Sequence, residues 1–198
     1  MTKSRLVENF PSIILASASP RRADLLRQVE LDFQVCPSGV VEKEVTHNPP
    51  TKITTELAVM KAKAVREHFD CGLIIGADTI VVINQQVVGK PENAQHAIEI
   101  LMSLSGKRHE VVTGISLLDL DRKREITWAE TTAVYFRKLR EPEILEYVRS
   151  HKTSDKAGAY GIQGRAAAFV SRVEGCYFNV VGLPLASLVE NLWDLAEN

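Results

Sequence analysis

The sequence predicts a mixed α/β fold whose sheet is mixed rather than wholly parallel. Three observations predict it. Short β-branched runs alternate with stretches of helical apolar spacing, and neighbouring strands in two places are separated by little more than a turn, so crossover helices and hairpins both occur. The chain has 198 residues, 45% hydrophobic and 25% charged, enough to bury one sizeable core in one domain.

Each element follows from period and punctuation. Ser12 to Ser17 reads as a buried-type strand, Arg21 to Val29 as a helix, and Phe33 to Cys36 as a short strand ending at Pro37. The Asn48-Pro49-Pro50 break closes a polar loop, and Lys52 to Phe69 has helical apolar spacing. Leu73 to Ile83 is a long β-branched strand, and Asn84-Gln85-Gln86 turns it into a short Val87-Val88 strand. Gly89-Lys90-Pro91 leads to a helix over Ala94 to Leu104, closed by Ser105-Gly106. Two long strands follow, from about Glu110 to Leu118 and from Ile126 to Phe136. Glu141 to Ser150 is helical after Pro142, Lys152 to Gly164 is a polar, glycine-bearing loop, and Ala167 to Val173 with Cys176 to Val180 read as a strand pair. Pro184 to Ala196 is a closing helix, and no repeat, low-complexity tract or linker interrupts the series.

Composition excludes several function classes. A net charge of -1 argues against a dedicated nucleic-acid binder, which carries a strongly basic face, and favours a small ligand over a polymer. No apolar run approaches the roughly 20 residues that span a bilayer. Met1 to Pro11 holds Glu8 and Asn9 in place of a signal-peptide core, so a cytoplasmic protein without membrane attachment is expected. Cys36, Cys71 and Cys176 are odd in number and lack a Cys-x-x-Cys pair, which suggests neither a disulfide framework nor a zinc site. His47, His68, His96, His109 and His151 show no paired ligand spacing.

Chemistry concentrates in a few segments. Ala16-Ser17-Ala18-Ser19-Pro20-Arg21-Arg22 carries a strand end into a helix start. Small residues there admit a close ligand, Ser17 and Ser19 add hydroxyls, Pro20 suits a first helical turn, and Arg21 and Arg22 bring charge to the positive end of the helix dipole. A phosphate fits such a place. In Ile74-Ile75-Gly76-Ala77-Asp78-Thr79, Asp78 follows apolar and small residues in a buried segment, where a carboxylate needs a partner. A general base or cation ligand and a strand-end aspartate capping backbone amides stand level as readings. Lys90 sits on a rigid turn and reads first as a solvated turn lysine, as Glu42 reads first as a solvated loop carboxylate. Lys61 and Lys63, two apart on a helix, point to different faces, so at most one turns inward. The segment Asp155-Lys156-Ala157-Gly158-Ala159-Tyr160-Gly161-Ile162-Gln163-Gly164 favours a binding loop over a plain connector. Its glycines let backbone turn round a planar or phosphorylated ligand while Lys156, Tyr160 and Gln163 project. Neither the Walker phosphate loop nor a dinucleotide fingerprint is present.

Taken in order, these motifs with Leu104-Ser105-Gly106 resemble the signature set of the Maf family of nucleoside triphosphate pyrophosphatases, from about Ile13 to Leu188. The resemblance implies an elongated mixed sheet flanked by helices, with a deep cleft between two lobes of one domain spanning 1–198, related to the inosine triphosphate pyrophosphatases. It implies cleavage of a nucleoside triphosphate to monophosphate and pyrophosphate, a house-cleaning role, a link to restraint of cell division, and a divalent cation, Mg²⁺ foremost or Mn²⁺. Homodimers are common in such a family. Arg21, Thr79 and Gln163 resemble the branch that prefers dTTP and UTP over the branch that prefers 7-methyl-GTP.

By the same resemblance Asp78 is the catalytic aspartate, accepting a proton from the attacking water and sharing the metal with Glu42. Arg21, Arg22, Lys61 and Lys90 neutralise the triphosphate, and Ser17 and Ser19 donate to it. Lys156 joins the substrate-binding set and, with Asp155, orders the site. Gln163 matches uracil or thymine because its carbonyl accepts from N3–H while its NH₂ donates to O4, a pattern that cytosine reverses. The chain departs from common members at Val41, where a second acidic residue often precedes the matched glutamate. The competing expectation is a non-catalytic nucleotide-binding regulator of septum formation, in which Asp78 is a metal or structural group.

Overall fold

The computed structural model describes residues 9, 10, 12–40 and 49–197. Among them seven strands form one mixed sheet in the order β2-β1-β3-β5-β6-β7, with β4 added to β3. The strands are β1 (Ile13–Leu15), β2 (Gln34–Val35), β3 (Leu73–Ile83), β4 (Gln86–Val88), β5 (Arg108–Asp119), β6 (Arg124–Phe136) and β7 (Val170–Glu174). By internal contacts the chain forms two compact units, the first made of residues 1–78, 113–130 and 182–198 and the second of 79–112 and 131–181.

In the first unit, β1 pairs in parallel with β2 and with β3, in the register Leu15 to Val35 and Leu15 to Ile75. The chain leaves β1 through α1 (Pro20–Gln28) to reach β2 on one side, then passes through α2 (Pro50–Arg66) to β3 on the other. That reversal beside β1 is a topological switch point, where open α/β sheets bind ligands beyond the carboxyl ends of their strands. Ile14, Ala16, Ala62, Val65 and Ile74 form a buried cluster beneath α2. Two glycines set how closely α2 lies on the sheet. A Cβ on Gly76 would stand 2.2 Å from the Ala58 carbonyl oxygen, and one on Gly114 would stand 2.2 Å from the Thr54 carbonyl carbon. The closing helix α6 (Leu185–Glu197) buries Leu185, Leu188, Leu192 and Leu195, a spacing that lines one helical face.

In the second unit, β4 folds back on β3 as the expected hairpin, with Val82 opposite Val87. Helix α3 (Ala94–Leu104) starts at Asn93, whose Oδ1 accepts from the His96 N–H at 2.9 Å, and packs against α4 (Glu141–Ser150). The strand pair expected over Ala167 to Val173 and Cys176 to Val180 is not formed. Arg165–Phe169 make a 3₁₀ turn, β7 pairs antiparallel with β6, and Tyr177–Val181 are helix α5. The reason lies in side-chain polarity. Asn179 turns inward, and its Nδ2 donates to the Val111 carbonyl at 3.0 Å and to Thr132 Oγ1 at 2.8 Å. Thr132 Oγ1 also accepts from the Cys176 N–H at 3.1 Å. Coiling the backbone brings Cys176 and Asn179 to one threonine, and these long-range bonds override the β propensity of Tyr177, Phe178, Val180 and Val181.

Candidate active site

In the first unit the predicted residues Ser17, Ser19, Arg21 and Arg22 follow the carboxyl end of β1, and Asp78 lies midway along the neighbouring β3. Leu15 pairs with Ile75, and the Ala16 N–H donates to the Ile75 carbonyl at 2.9 Å, so Ser17 leaves the sheet beside the stretch that carries Asp78. The turn into α1 is braced from within. Ser17 Oγ accepts from the Ser19 N–H at 3.2 Å and from Arg22 Nη1 at 3.0 Å, while Arg22 Nε donates to the Gly182 carbonyl at 2.8 Å. With two donors aimed at it, the Ser17 hydroxyl keeps its own hydrogen to donate. Ser19 is the N-cap of α1 in extended conformation and makes no side-chain cap, and Pro20 follows at the first helical position. Arg22 is therefore buried as a brace, whereas Arg21 is half-buried.

Asp78 is only 4% exposed and Lys61 8%, and Lys61 Nζ donates to Asp78 Oδ1 at 2.6 Å. The closeness of α2 produces this contact. Gly76 and Ala62 let the helix settle on β3, which brings the neighbouring Lys61 within reach of Asp78 two residues further along the strand. Lys63 instead reaches Glu125 at 3.2 Å on the exposed side, as helical geometry requires of residues two apart. Glu42 and its neighbours Val41 and Lys43 lie outside the described residues, as does Asn48.

The second unit gathers the other predicted residues. Thr79 is half-buried, and Lys90 is exposed on the turn after β4. The Gly158 N–H donates to the Gly89 carbonyl at 3.2 Å, tying the Gly89-Lys90-Pro91 turn to the 155–164 loop. Lys156 Nζ donates to Asp155 Oδ1 and to the Lys152 carbonyl, each at 2.7 Å, and its stem lies along Gly161. Gln163 is exposed. Tyr160 departs from the expectation that it projects toward a ligand. It is buried, and its Oη lies 2.8 Å from Nε2 of His109, which sequence reasoning did not select. The available signal was the alternation of Arg108, His109, Glu110 and Val111, which puts His109 on the inward face with Val111.

Among the described residues no group of three or more His, Cys, Asp and Glu side chains comes together as a metal centre. Asp78 still offers the hard carboxylate oxygen that Mg²⁺ favours, and this ion usually combines one or two carboxylates with substrate phosphates and water. The donor chemistry at Asp78 fits such an ion.

The family model described as "Maf-like protein" matches residues 12–195. A protein of Ruminiclostridium cellulolyticum named dTTP/UTP pyrophosphatase is 46% identical over 187 residues, 94% of this chain and 97% of that one. The protein so named from Carboxydothermus hydrogenoformans is 46% identical over 180 residues, 91% of this chain and 96% of that one. One from Alkaliphilus oremlandii, with the same name, is 49% identical over 177 residues, 89% and 92%. A solved structure of the Staphylococcus aureus Ham1 protein is similar at TM-score 0.46 and 14% identity, over 63% of this chain and 71% of that one, too distant to add to the argument. Among the described residues no helix is long and apolar enough to cross a membrane.

Proposed function

Because the chain belongs to the Maf-like protein family, we propose that it is a nucleoside triphosphate pyrophosphatase that hydrolyses dTTP and UTP to the monophosphate and pyrophosphate. Relatives of 46 to 49% identity bear that name over most of their length. The observation that carries the chemistry is the buried Asp78–Lys61 pair beside the Ser17–Arg22 turn.

Asp78 accepts the proton of a water molecule as its oxygen attacks the α-phosphorus. The new O–Pα bond forms as the bond from Pα to the bridging oxygen of Pβ breaks, and pyrophosphate leaves with that electron pair. Lys61 fixes the rotamer of the Asp78 carboxylate through Oδ1. Arg21, Arg22, Lys61 and Lys90 neutralise the triphosphate, Ser17 and Ser19 donate to it, and Thr79 and Lys156 complete the substrate contacts. Gln163 reads N3–H and O4 of the pyrimidine. Asp78 and Glu42 would hold Mg²⁺ or Mn²⁺, which supplies further neutralisation of phosphate charge when bound. The cytoplasm, which holds the triphosphate pool and keeps cysteines such as Cys36, Cys71 and Cys176 reduced, suits this function. A homodimer is proposed from the family resemblance.

One assay tests the reading. The chain is incubated with UTP, dTTP or CTP and Mg²⁺ in ¹⁸O-labelled water, and pyrophosphate, orthophosphate and the labelled product are measured. Pyrophosphate from UTP and dTTP with the label in the monophosphate is expected, and Asp78→Asn should lower kcat by about 10²–10⁴-fold. Orthophosphate release, label in pyrophosphate, or binding without turnover would overturn it.

A further inference from the structure

We propose that His109, through its buried hydrogen bond to Tyr160, is a positioning residue for the 155–164 loop and thereby sets the discrimination between uracil and cytosine. The proposal rests on the reading of Gln163 as the base-recognition residue.

The loop is fastened from several sides. Gly158 has φ 69°, and a Cβ there would lie 2.9 Å from Val81 Cγ2, so backbone meets β3 at closest approach. Its N–H is held by the Gly89 carbonyl at 3.2 Å. Ala159 follows with φ 62°, a left-handed conformation that a residue with a Cβ adopts only when its surroundings impose it. Tyr160 comes next and is held among aromatic rings. Its ring meets Phe136 edge-on at 4.8 Å and His109 at 5.5 Å, and its Oη reaches His109 Nε2 at 2.8 Å. Gln163 lies three residues beyond this anchor and Lys156 four before it.

The polar character of the anchor is not what stability alone would select. His109 is 1% exposed, and its Nδ1 is buried with no hydrogen-bond partner among the described residues. The tautomer with its proton on Nδ1 lets the Tyr160 phenol donate to Nε2 and leaves one group unpaired, whereas the other tautomer leaves the phenol hydrogen unpaired as well. Burial holds His109 neutral, down at about 4, with Arg108 adding to the effect. Two apolar side chains would fill the same aromatic box with no orphaned nitrogen. What they lack is direction. A hydrogen bond fixes where the phenol sits, and so the height and angle at which the loop backbone leaves for Gln163. That geometry matters because a glutamine amide turned over presents cytosine's complement, so side-chain identity alone does not select uracil.

Tyr160→Phe and the double variant His109→Leu with Tyr160→Phe separate positioning from packing. The measurements are kcat and KM for UTP and CTP, the thermal midpoint, and amide hydrogen exchange across 155–164. We expect Tyr160→Phe to reduce the UTP-over-CTP ratio of kcat/KM by about fivefold or more, through KM for UTP with kcat little changed. Exchange should quicken within the loop, and the double variant should keep or raise the thermal midpoint while losing the same selectivity. Loop exchange that stays at the wild-type rate, or selectivity retained in both variants, overturns the proposal. Failure of the underlying reading looks different. A wild-type chain that turns over UTP and CTP alike discards Gln163 as the discriminator before any variant is made, and overturns the selectivity claim with it.

Discussion

Lys61 and Asp78 exemplify a residue pair whose value cannot lie in stability alone. Burying an ammonium and a carboxylate at 2.6 Å costs desolvation that their attraction offsets only in part, and an apolar pair of similar volume often does as well. In the proposed function the pair holds the Asp78 carboxylate in one orientation, a use that stability does not require. His109 carries a second residue-scale consequence. Its folded value of about 4 lies below the ordinary 6.5, so between those limits the unfolded chain binds a proton that the folded chain refuses. The stability associated with neutral His109 is therefore full above pH 6.5 and is lost as pH falls through 4, on the order of 3 kcal/mol in all. Urea unfolding of the wild type and of the His109→Leu, Tyr160→Phe double variant at pH 7, 5.5 and 4 checks this. The wild type should lose ground to the variant as acid is added, and a difference independent of pH would rule His109 out as the source.

At the scale of elements, helix α2 decides the geometry of Asp78. Its approach depends on Gly76 and Gly114, because any larger residue meets the Ala58 or Thr54 backbone at 2.2 Å. Gly76→Ala should push the helix outward, cost about 1–3 kcal/mol, and lower kcat by detaching Lys61 from Asp78. Gly89→Ala, with nothing within 4 Å of the new methyl, is the control for stability and should leave the thermal midpoint in place. Much of this level was legible in advance. Leu73–Ile83, Ala94–Leu104 and Glu141–Ser150 lie where the β-branched run, the Ser105-Gly106 close and Pro142 place them. Residues 176–180 read wrongly because a short apolar run has no period of its own, and the deciding bonds come from Val111 and Thr132 far along the chain. Helical periodicity showed that Lys61 and Lys63 could not both turn inward, but choosing between them required the packing of Gly76 against Ala58.

For the whole molecule, binding and stability are linked, since a ligand that binds only the folded chain adds stability by mass action. Asp78→Asn with UTP at about 100 times its dissociation constant should gain about 2.7 kcal/mol, raising the thermal midpoint by about 5–10 °C, with a smaller rise for CTP at the same concentration. Equal shifts for the two nucleotides would argue against base recognition by Gln163. The motif order, the alternation of strands and helices and the small residues before Arg21 and around Asp78 lie in the sequence itself, because local sterics, capping and period are properties of neighbouring residues. That was enough to predict the mixed sheet and to single out the turn before Arg21 and the carboxylate of Asp78 as candidates. Only tertiary structure decided that Arg22 braces Ser17 through Gly182, that Lys61 and not Lys63 meets Asp78, and that Tyr160 turns inward to His109. Each of those choices joins residues far apart in sequence, where burial and directional hydrogen bonding select one partner among many that the local pattern allows equally.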